Sequence, residues 1–177
     1  MTPPSWQGVR PTSDRLRETL FNVLAPRIAG ARVLDGFAGT GAVGIEAISR
    51  GAAHVLFVDA DRRSTALIER NLAACAVEGG YTISRGDVAS VLRRHEAPEP
   101  FDVMFLDPPY DAPGTLDLLA SCAPLVRQDG VIILEHATRR PPEVPGTLRR
   151  VRDLRSGDST LTFLAPVDGL RVPVEHP

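Results

Sequence analysis

What this 177-residue chain lacks narrows it before any motif is read. It has no run of about 18 apolar residues, so no segment reads as a transmembrane helix. Its opening, MTPPSWQGVRPTSDR, lacks the apolar stretch of a secretory signal. Only two cysteines occur, Cys75 and Cys122, and they form no metal-like pair; both read as buried thiols of a reducing, cytoplasmic compartment. His54, His95, His136 and His176 show no ligand spacing, so no metal is expected. No nucleophile elbow is present, which argues against Ser-His-Asp hydrolysis. Lysine is absent altogether, and all 20 basic residues are arginine. A net charge of −2 and a pI near 6.1 give no global attraction to nucleic acid. The arginines do gather, as Arg10, Arg15 and Arg17 near the start and as Arg139, Arg140, Arg149, Arg150, Arg152 and Arg155 further on. Arginine suits bidentate phosphate contact and stacking on bases. All-arginine usage also follows from a biased genome composition, so these clusters alone are weak evidence.

What is present is an ordinary globular composition, 43% hydrophobic and 24% charged, read as one domain over 1–177 with a flexible 1–9 and a frayed 167–177. Thr12, Ser13 and Asp14 are capping types ahead of Leu16, Leu20 and Val23/Leu24, which predicts a helix ending near Ala25. Strands are expected at 31–36, 54–60, 81–87, 101–107 and 130–136, alternating with helices at 41–52, 62–77, 88–95 and 114–126. Five strand–helix alternations call for a parallel sheet with helices on both faces. After the proline-rich 139–146, residues 147–166 read as an antiparallel hairpin around SGDS, with no helix between. The expectation is an α/β, Rossmann-like sheet of seven strands, mostly parallel, with the last one antiparallel.

Four stretches carry chemistry. In VLDGFAGTGAVGIEA (33–47), a strand ends at Asp35, and Gly39 and Gly41 form a tight loop that lets the backbone approach a ligand before a helix. A G-x-G is shared with NAD enzymes, but Asp35 opposes phosphates and suits a cationic amino group. S-adenosylmethionine (SAM) carries such a group together with a sulfonium. Asp59 ends the next strand, 20 residues after Gly39, where an acid reaches ribose hydroxyls, with Asp61 as the alternative. Asp87, followed by Val88, is placed either to accept the adenine amino hydrogen or to cap the next helix. Finally, FLDPPY (105–110) brings Asp107 to the carboxyl edge of the sheet. Pro108 and Pro109 stiffen the backbone and remove two amide donors, and Tyr110 adds an aromatic face. An acceptor-rich, rigid lip suits a planar ligand bearing an NH2. Holding both hydrogens lets that nitrogen pyramidalise and aim its lone pair at a methyl group.

In order along the chain, RPTSDRLRETLFNVL, LDGFAGTGAVGIEAISRGA, FVDADR, GD and FLDPPY resemble the RsmD family of bacterial 16S rRNA guanine-N2 methyltransferases. The likeness runs from about Val9 to Asp111, with SGDSTLTFL similar to the closing strand. It implies a class I SAM-dependent methyltransferase that methylates N2 of the guanine numbered 966 in small-subunit rRNA. It implies that Asp35, Phe37, Gly39 and Gly41 lie along the methionine part of SAM, Asp59 at the ribose, and Asp87 and Val88 near the adenine. Asp107, Pro108 and Tyr110 would act on the flipped guanine, with Pro109 beside it.

Members of that family usually begin with a basic segment resembling RIIAGKWRGRRL, where this chain has MTPPSWQGV. RNA engagement is then expected to fall on Arg10, Arg15, Arg17 and the later arginines, Arg155 among them. Base extrusion costs a few kcal/mol, so the expected substrate is an assembled small-subunit particle, met by a monomer. Competing readings are an amino methyltransferase of DNA adenine or protein glutamine, whose members more often carry N-P-P-Y, and a catalytically silent SAM-binding assembly factor. A NAD-dependent dehydrogenase is disfavoured by Asp35 and the hairpin.

Overall fold

The computed structural model describes residues 14–94, 99–110 and 113–167. Helix α1 (Asp14–Ile28) buries Leu16, Leu20, Leu24 and Ile28, a stripe spaced by four residues. It runs past the expected end at Ala25, through Pro26. A proline there removes a single ladder bond in the last turn, and Ile28, buried in the core, anchors the extra turn. Thr12, Ser13, Arg10 and the stretches 1–9 and 168–177 lie outside the described residues.

Beyond α1 come β1 (Arg32–Gly36), α2 (Ala42–Ser49), β2 (His54–Asp59), α3 (Arg62–Ala74), β3 (Tyr81–Arg85), α4 (Val88–Arg94) and β4 (Phe101–Leu106). Next are α5 (Thr115–Cys122), β5 (Val126–Ala137), β6 (Leu148–Ser156) and β7 (Ser159–Pro166). The strands form one sheet in the order β3-β2-β1-β4-β5-β7-β6. Pairing is parallel from β3 to β5, and only β7 is reversed, antiparallel to both β5 and β6. The chain leaves β1 toward one side and returns through β4 on the other. That reversal opens a crevice at the carboxyl ends of β1 and β4, the place where open α/β sheets bind ligands.

Strand β5 begins at Val126, four residues before the expected start. A 3-10 turn at Ala123–Leu125, with Pro124 in it, ends α5 early, and Val126 then pairs with Phe101. The register slips before Val103 meets Val131, so the polar stretch 127–130 bulges out of the ladder. Helices α1, α2 and α3 cover one face of the sheet through Leu20, Val43 and Ile68; α4 and α5 cover the other through Val91 and Leu119. Cys122 is buried as expected, and burial pushes its thiol up to about 12. Cys75 is not: it is exposed. It caps the C-terminus of α3 just before Ala76 takes a left-handed φ of 53°, and the turning chain carries its side chain away from the core.

Candidate active site

On the face beneath α1, α2 and α3, four adjacent strands bury Phe57, Val33, Phe105 and Ile133. Side chains alternate across a strand. One further step of two therefore places Asp59, Asp35, Asp107 and Glu135 on that same face, at the carboxyl ends of β2, β1, β4 and β5. Asp107 lies one residue beyond β4, yet its N–H still donates to the Gly36 carbonyl at 3.3 Å, which extends the ladder to hold it. Asp35 and Glu135 are buried. Among the described residues no three His, Cys, Asp or Glu groups could hold a metal ion, so these carboxylates line an edge rather than converge on a point.

The loop from β1 to α2 is built from left-handed residues: Phe37 at φ 61°, Gly39 at 54° and Gly41 at 74°. For Phe37, which has a Cβ, that conformation costs roughly 1–2 kcal/mol. The loop is fastened from several sides. Ala38 N–H donates to the Val58 carbonyl at 3.1 Å, and Gly39 N–H to Asp59 Oδ2 at 2.8 Å. The buried Asn71 amide donates to the Thr40 carbonyl at 2.8 Å, tying the loop to α3. Inside α2, Gly44 N–H donates to Asp35 Oδ2 at 2.8 Å. A Cβ at Gly44 would stand 2.2 Å from the Phe57 ring, so only glycine lets α2 sit this close to β2.

Burial pushes the Asp35 carboxyl up to about 7; the Gly44 N–H pulls it back and the Asp59 charge adds to the rise. A carboxyl held there favours a cation as neighbour and disfavours a diphosphate. Asp59 uses one oxygen for Gly39 N–H and the other for Asp61 N–H, also at 2.8 Å. Both contacts leave lone pairs for ribose hydroxyls. Asp61, the alternative to Asp59, is instead the N-cap of α3, accepting from Arg63 N–H at 2.8 Å. The Arg63 side chain holds its carboxyl below the usual carboxylate range. Asp87 accepts from Ser90 N–H at 2.9 Å, which makes it a cap of α4 and holds its carboxyl low. Val88, next to it, is buried against the sheet.

Asp107 opens the lip. Burial, then the charges of Glu135 and Asp35, push its carboxyl up to about 8. Pro108 is buried, while Pro109 and Tyr110 are exposed. The Tyr110 hydroxyl meets Ser159 Oγ at 2.6 Å, which pins the lip to the β6–β7 turn. Arg155, exposed on β6, pairs in register with Thr160 and so stands beside that turn. Helix α1 ends four residues before β1 begins, and Arg27 near that end donates to the Asp129 carbonyl at the start of β5. The helix therefore runs back along the sheet, and Arg15, in its first turn, is exposed. Arg10 lies outside the described residues.

Sequence reasoning missed Glu135, Asn71 and Ser159. The first had a legible signal. VLD, FVD and FLD are each an apolar run closed by an acid, and ILE at 133–135 repeats the pattern on the adjoining strand. Asn71 reads as one more polar residue of an amphipathic helix, and Ser159 as turn chemistry.

A family model described as conserved hypothetical protein 95 matches residues 1–165. The ribosomal RNA small subunit methyltransferase D of Haemophilus influenzae is 42% identical over 106 residues, 59% of this chain and 54% of that protein. Its Escherichia coli counterpart of the same name is 42% identical over 107 residues, 60% of this chain and 52% of that one. The chain thus spans about half the length of these two relatives. Among solved structures, the rRNA methyltransferase aviRa from Streptomyces viridochromogenes superposes with a TM-score of 0.71 at 19% identity, covering 92% of this chain and 88% of the other. That likeness shows the fold, a seven-stranded mixed sheet flanked by helices.

Proposed function

Because this chain belongs to the conserved hypothetical protein 95 family, the RsmD family its motifs resemble, we propose that it transfers a methyl group from SAM to the exocyclic N2 of a guanine in small-subunit rRNA. The observation that carries this reading is the lip Asp107–Tyr110, an acceptor-rich and stiffened edge beside a glycine loop whose nearest carboxyl, Asp35, is desolvated. The fit to SAM rests on charge. Asp35 and Asp107 end the neighbouring strands β1 and β4 beside the loop, and a ligand with ammonium and sulfonium groups restores the ionised carboxylates that burial disfavours there. SAM, when bound, supplies an electrophilic methyl group. Asp35, Phe37, Gly39 and Gly41 would lie along its methionine part, Asp59 at its ribose, and Asp87 with Val88 at its adenine end.

The chain's own residues then have one task, which is to present a poor nucleophile. The guanine amine delocalises its lone pair into the ring. The Asp107 carboxylate and the Pro108 carbonyl accept its hydrogens, draw the nitrogen out of plane and aim the lone pair. Tyr110, held by Ser159, offers a face for the base, and Pro109 shapes the entry. Arg15, exposed in the first turn of α1, and Arg155, exposed beside the β6–β7 turn, suit RNA phosphates.

The test is methyl transfer from labelled SAM, offering small subunits from cells without the modification, naked 16S rRNA and DNA in parallel, with the product nucleoside identified. N2-methylguanine at one rRNA position is the expected result, with more label in subunits than in naked RNA. Methyladenine in DNA would replace this reading with that of a DNA amino methyltransferase. SAM binding without transfer to any substrate would replace it with that of an assembly factor.

A further inference from the structure

Strand β6 is an edge of the sheet, and its sequence LRRVRDLRS carries four arginines against one acid. All four arginines are exposed. The acid, Asp153, accepts from the Thr162 hydroxyl at 2.8 Å. Among the described residues no carboxylate forms an ion pair with any of the four arginines. The strand is also irregular. Arg150 stands opposite Leu164 and Arg152 opposite Phe163, so Val151 is an extra residue, bulged out and 53% exposed. On a regular strand, residues three apart point to opposite faces. The bulge cancels one step and brings Arg149 and Arg152 to the same face. That face is the one that carries Asp35 and Asp107. Arg152 opposes Phe163, Phe163 opposes Ile133, and Ile133 belongs to the core beneath α1. The Arg152 guanidinium lies over the Phe163 ring, 5.9 Å from its centroid, which fixes its direction and leaves its donors for an outside acceptor. Arg150 turns the other way and donates to the Pro142 carbonyl.

Building on the proposed methyl transfer, we infer that Arg149 and Arg152 form a phosphate-binding ledge for the rRNA strand that flanks the target guanine. Strand β6 lies three strands from β4, about 14 Å at the usual spacing, and Arg152 is level with Phe105, about 7 Å short of Asp107. An RNA strand whose base enters the lip and continues past β7 meets Arg152 first and Arg149 beyond it. The two arginines oppose Phe163 and Ala165 and so stand about 7 Å apart along the ladder, close to the step between successive phosphates of an extended strand. A folded acidic protein surface has no such repeat. Charge and a bulge on an edge strand also keep foreign strands from pairing with it. That duty asks only for charge on the edge, and not for a device that turns two arginines onto the face of the site.

The experiment reads binding before catalysis. The affinity of the full-length protein for naked 16S rRNA, and for small subunits from cells without the modification, is measured over a salt series. The double variant Arg149→Gln/Arg152→Gln should weaken both by about tenfold and flatten the slope of log affinity against log salt by about one to two, as two lost phosphate contacts require. Arg150→Gln removes the same charge from the same strand on the other face and should leave affinity and slope as they were. SAM binding by calorimetry should be unchanged throughout, and in methyl transfer the loss should appear as a raised KM for RNA with kcat retained. The Arg152 stem also covers Phe163, so two further variants guard against a folding defect. Arg149→Gln alone should flatten the slope about half as much. Arg152→Lys keeps the charge and should keep the slope, with part of the affinity lost because an ammonium lacks the guanidinium fork. An equal loss in Arg150→Gln would reduce the ledge to a general field and overturn the inference. A loss on subunits but not on naked rRNA would overturn it too, by assigning the surface to a ribosomal protein. If the chain methylates no RNA yet loses rRNA affinity in the double variant, the methyl-transfer reading falls and the ledge stands. RNA methylation with unaltered affinity in the double variant would do the reverse.

Discussion

At the amino ends of β4 and β5, Asp102 and Asp129 both face an arginine. Asp102 accepts from the Arg32 backbone N–H at 2.8 Å and faces the Arg127 guanidinium at 3.4 Å; Arg127 also reaches Asp129 at 3.8 Å. At the carboxyl ends of β1, β4 and β5 stand Asp35, Asp107 and Glu135; burial first, then neighbouring acid charge, pushes Asp35 up to about 7 and Asp107 up to about 8. Acids thus behave in opposite ways at the two ends of β4, at Asp102 and Asp107. The amino edge is settled by exposed and half-exposed ion pairs, each worth at most about 1 kcal/mol. The carboxyl edge is left in electrostatic debt that a cationic ligand discharges. Stability without function would arrange both edges like the first.

Removing the acid at the centre of that contrast should have the largest effect. Asp107→Ala should lower methyl transfer by about 100-fold or more, the scale of losing an electrostatic or acid–base partner. SAM binding, read by calorimetry, should largely persist, because Asp35 and Asp59 remain. Equal activity in that variant would refute the assigned role.

The pH dependence of folding separates the two edges next. Asp35 and Asp107 rise from 3.8 to about 7 and about 8, so between these limits the folded chain holds protons that the unfolded chain has released. Stability then falls with rising pH. Their contribution is complete below about pH 4 and is lost as pH climbs through about 7 and 8, a change on the order of a few kcal/mol. Thermal melts from about pH 6 to about pH 9 should show Tm declining, less steeply in Asp107→Asn. A flat Tm, with no difference between the two proteins, would mean that the carboxyl edge carries no such strain.

The packing beneath the carboxyl edge gives the third effect. Gly44→Ala puts a methyl 2.2 Å from the Phe57 ring. It should destabilise by about 1–3 kcal/mol, the usual cost of overpacking, and should weaken SAM binding by displacing the Gly44 N–H from Asp35. Denaturant unfolding and calorimetry read the two losses separately.

The contrast between the edges also marks how far the sequence could be read. The apolar-run-then-acid pattern at Asp35, Asp59 and Asp107, with the glycines between, made the carboxyl edge legible, because alternation along strands and turn chemistry are local. The hairpin of β6 and β7 and its reversal were legible for the same reason. Local rules do not reveal lateral neighbours. Nothing in VIILEH says that Glu135 stands beside Asp107 until the register of β5 on β4 is known. The Tyr110–Ser159 bond spans 49 residues and depends on β7 inserting between β5 and β6. The bulge at 127–130 and the exposure of Cys75 likewise follow from where a neighbouring element stops, not from the residues themselves.

The amino edge should answer a substitution with the smallest effect. Asp102→Ala removes the acceptor of Arg32 N–H and the partner of Arg127. Both contacts are half-exposed, and water replaces much of what is lost, so the expected destabilisation is about 1 kcal/mol. Methyl transfer and its pH profile should be unchanged, since the acid sits at the far end of β4 from the lip. A shift of the pH profile in this variant would show that charge at one edge is felt at the other. The carboxyl-edge acids would then be answering to the whole sheet rather than to each other.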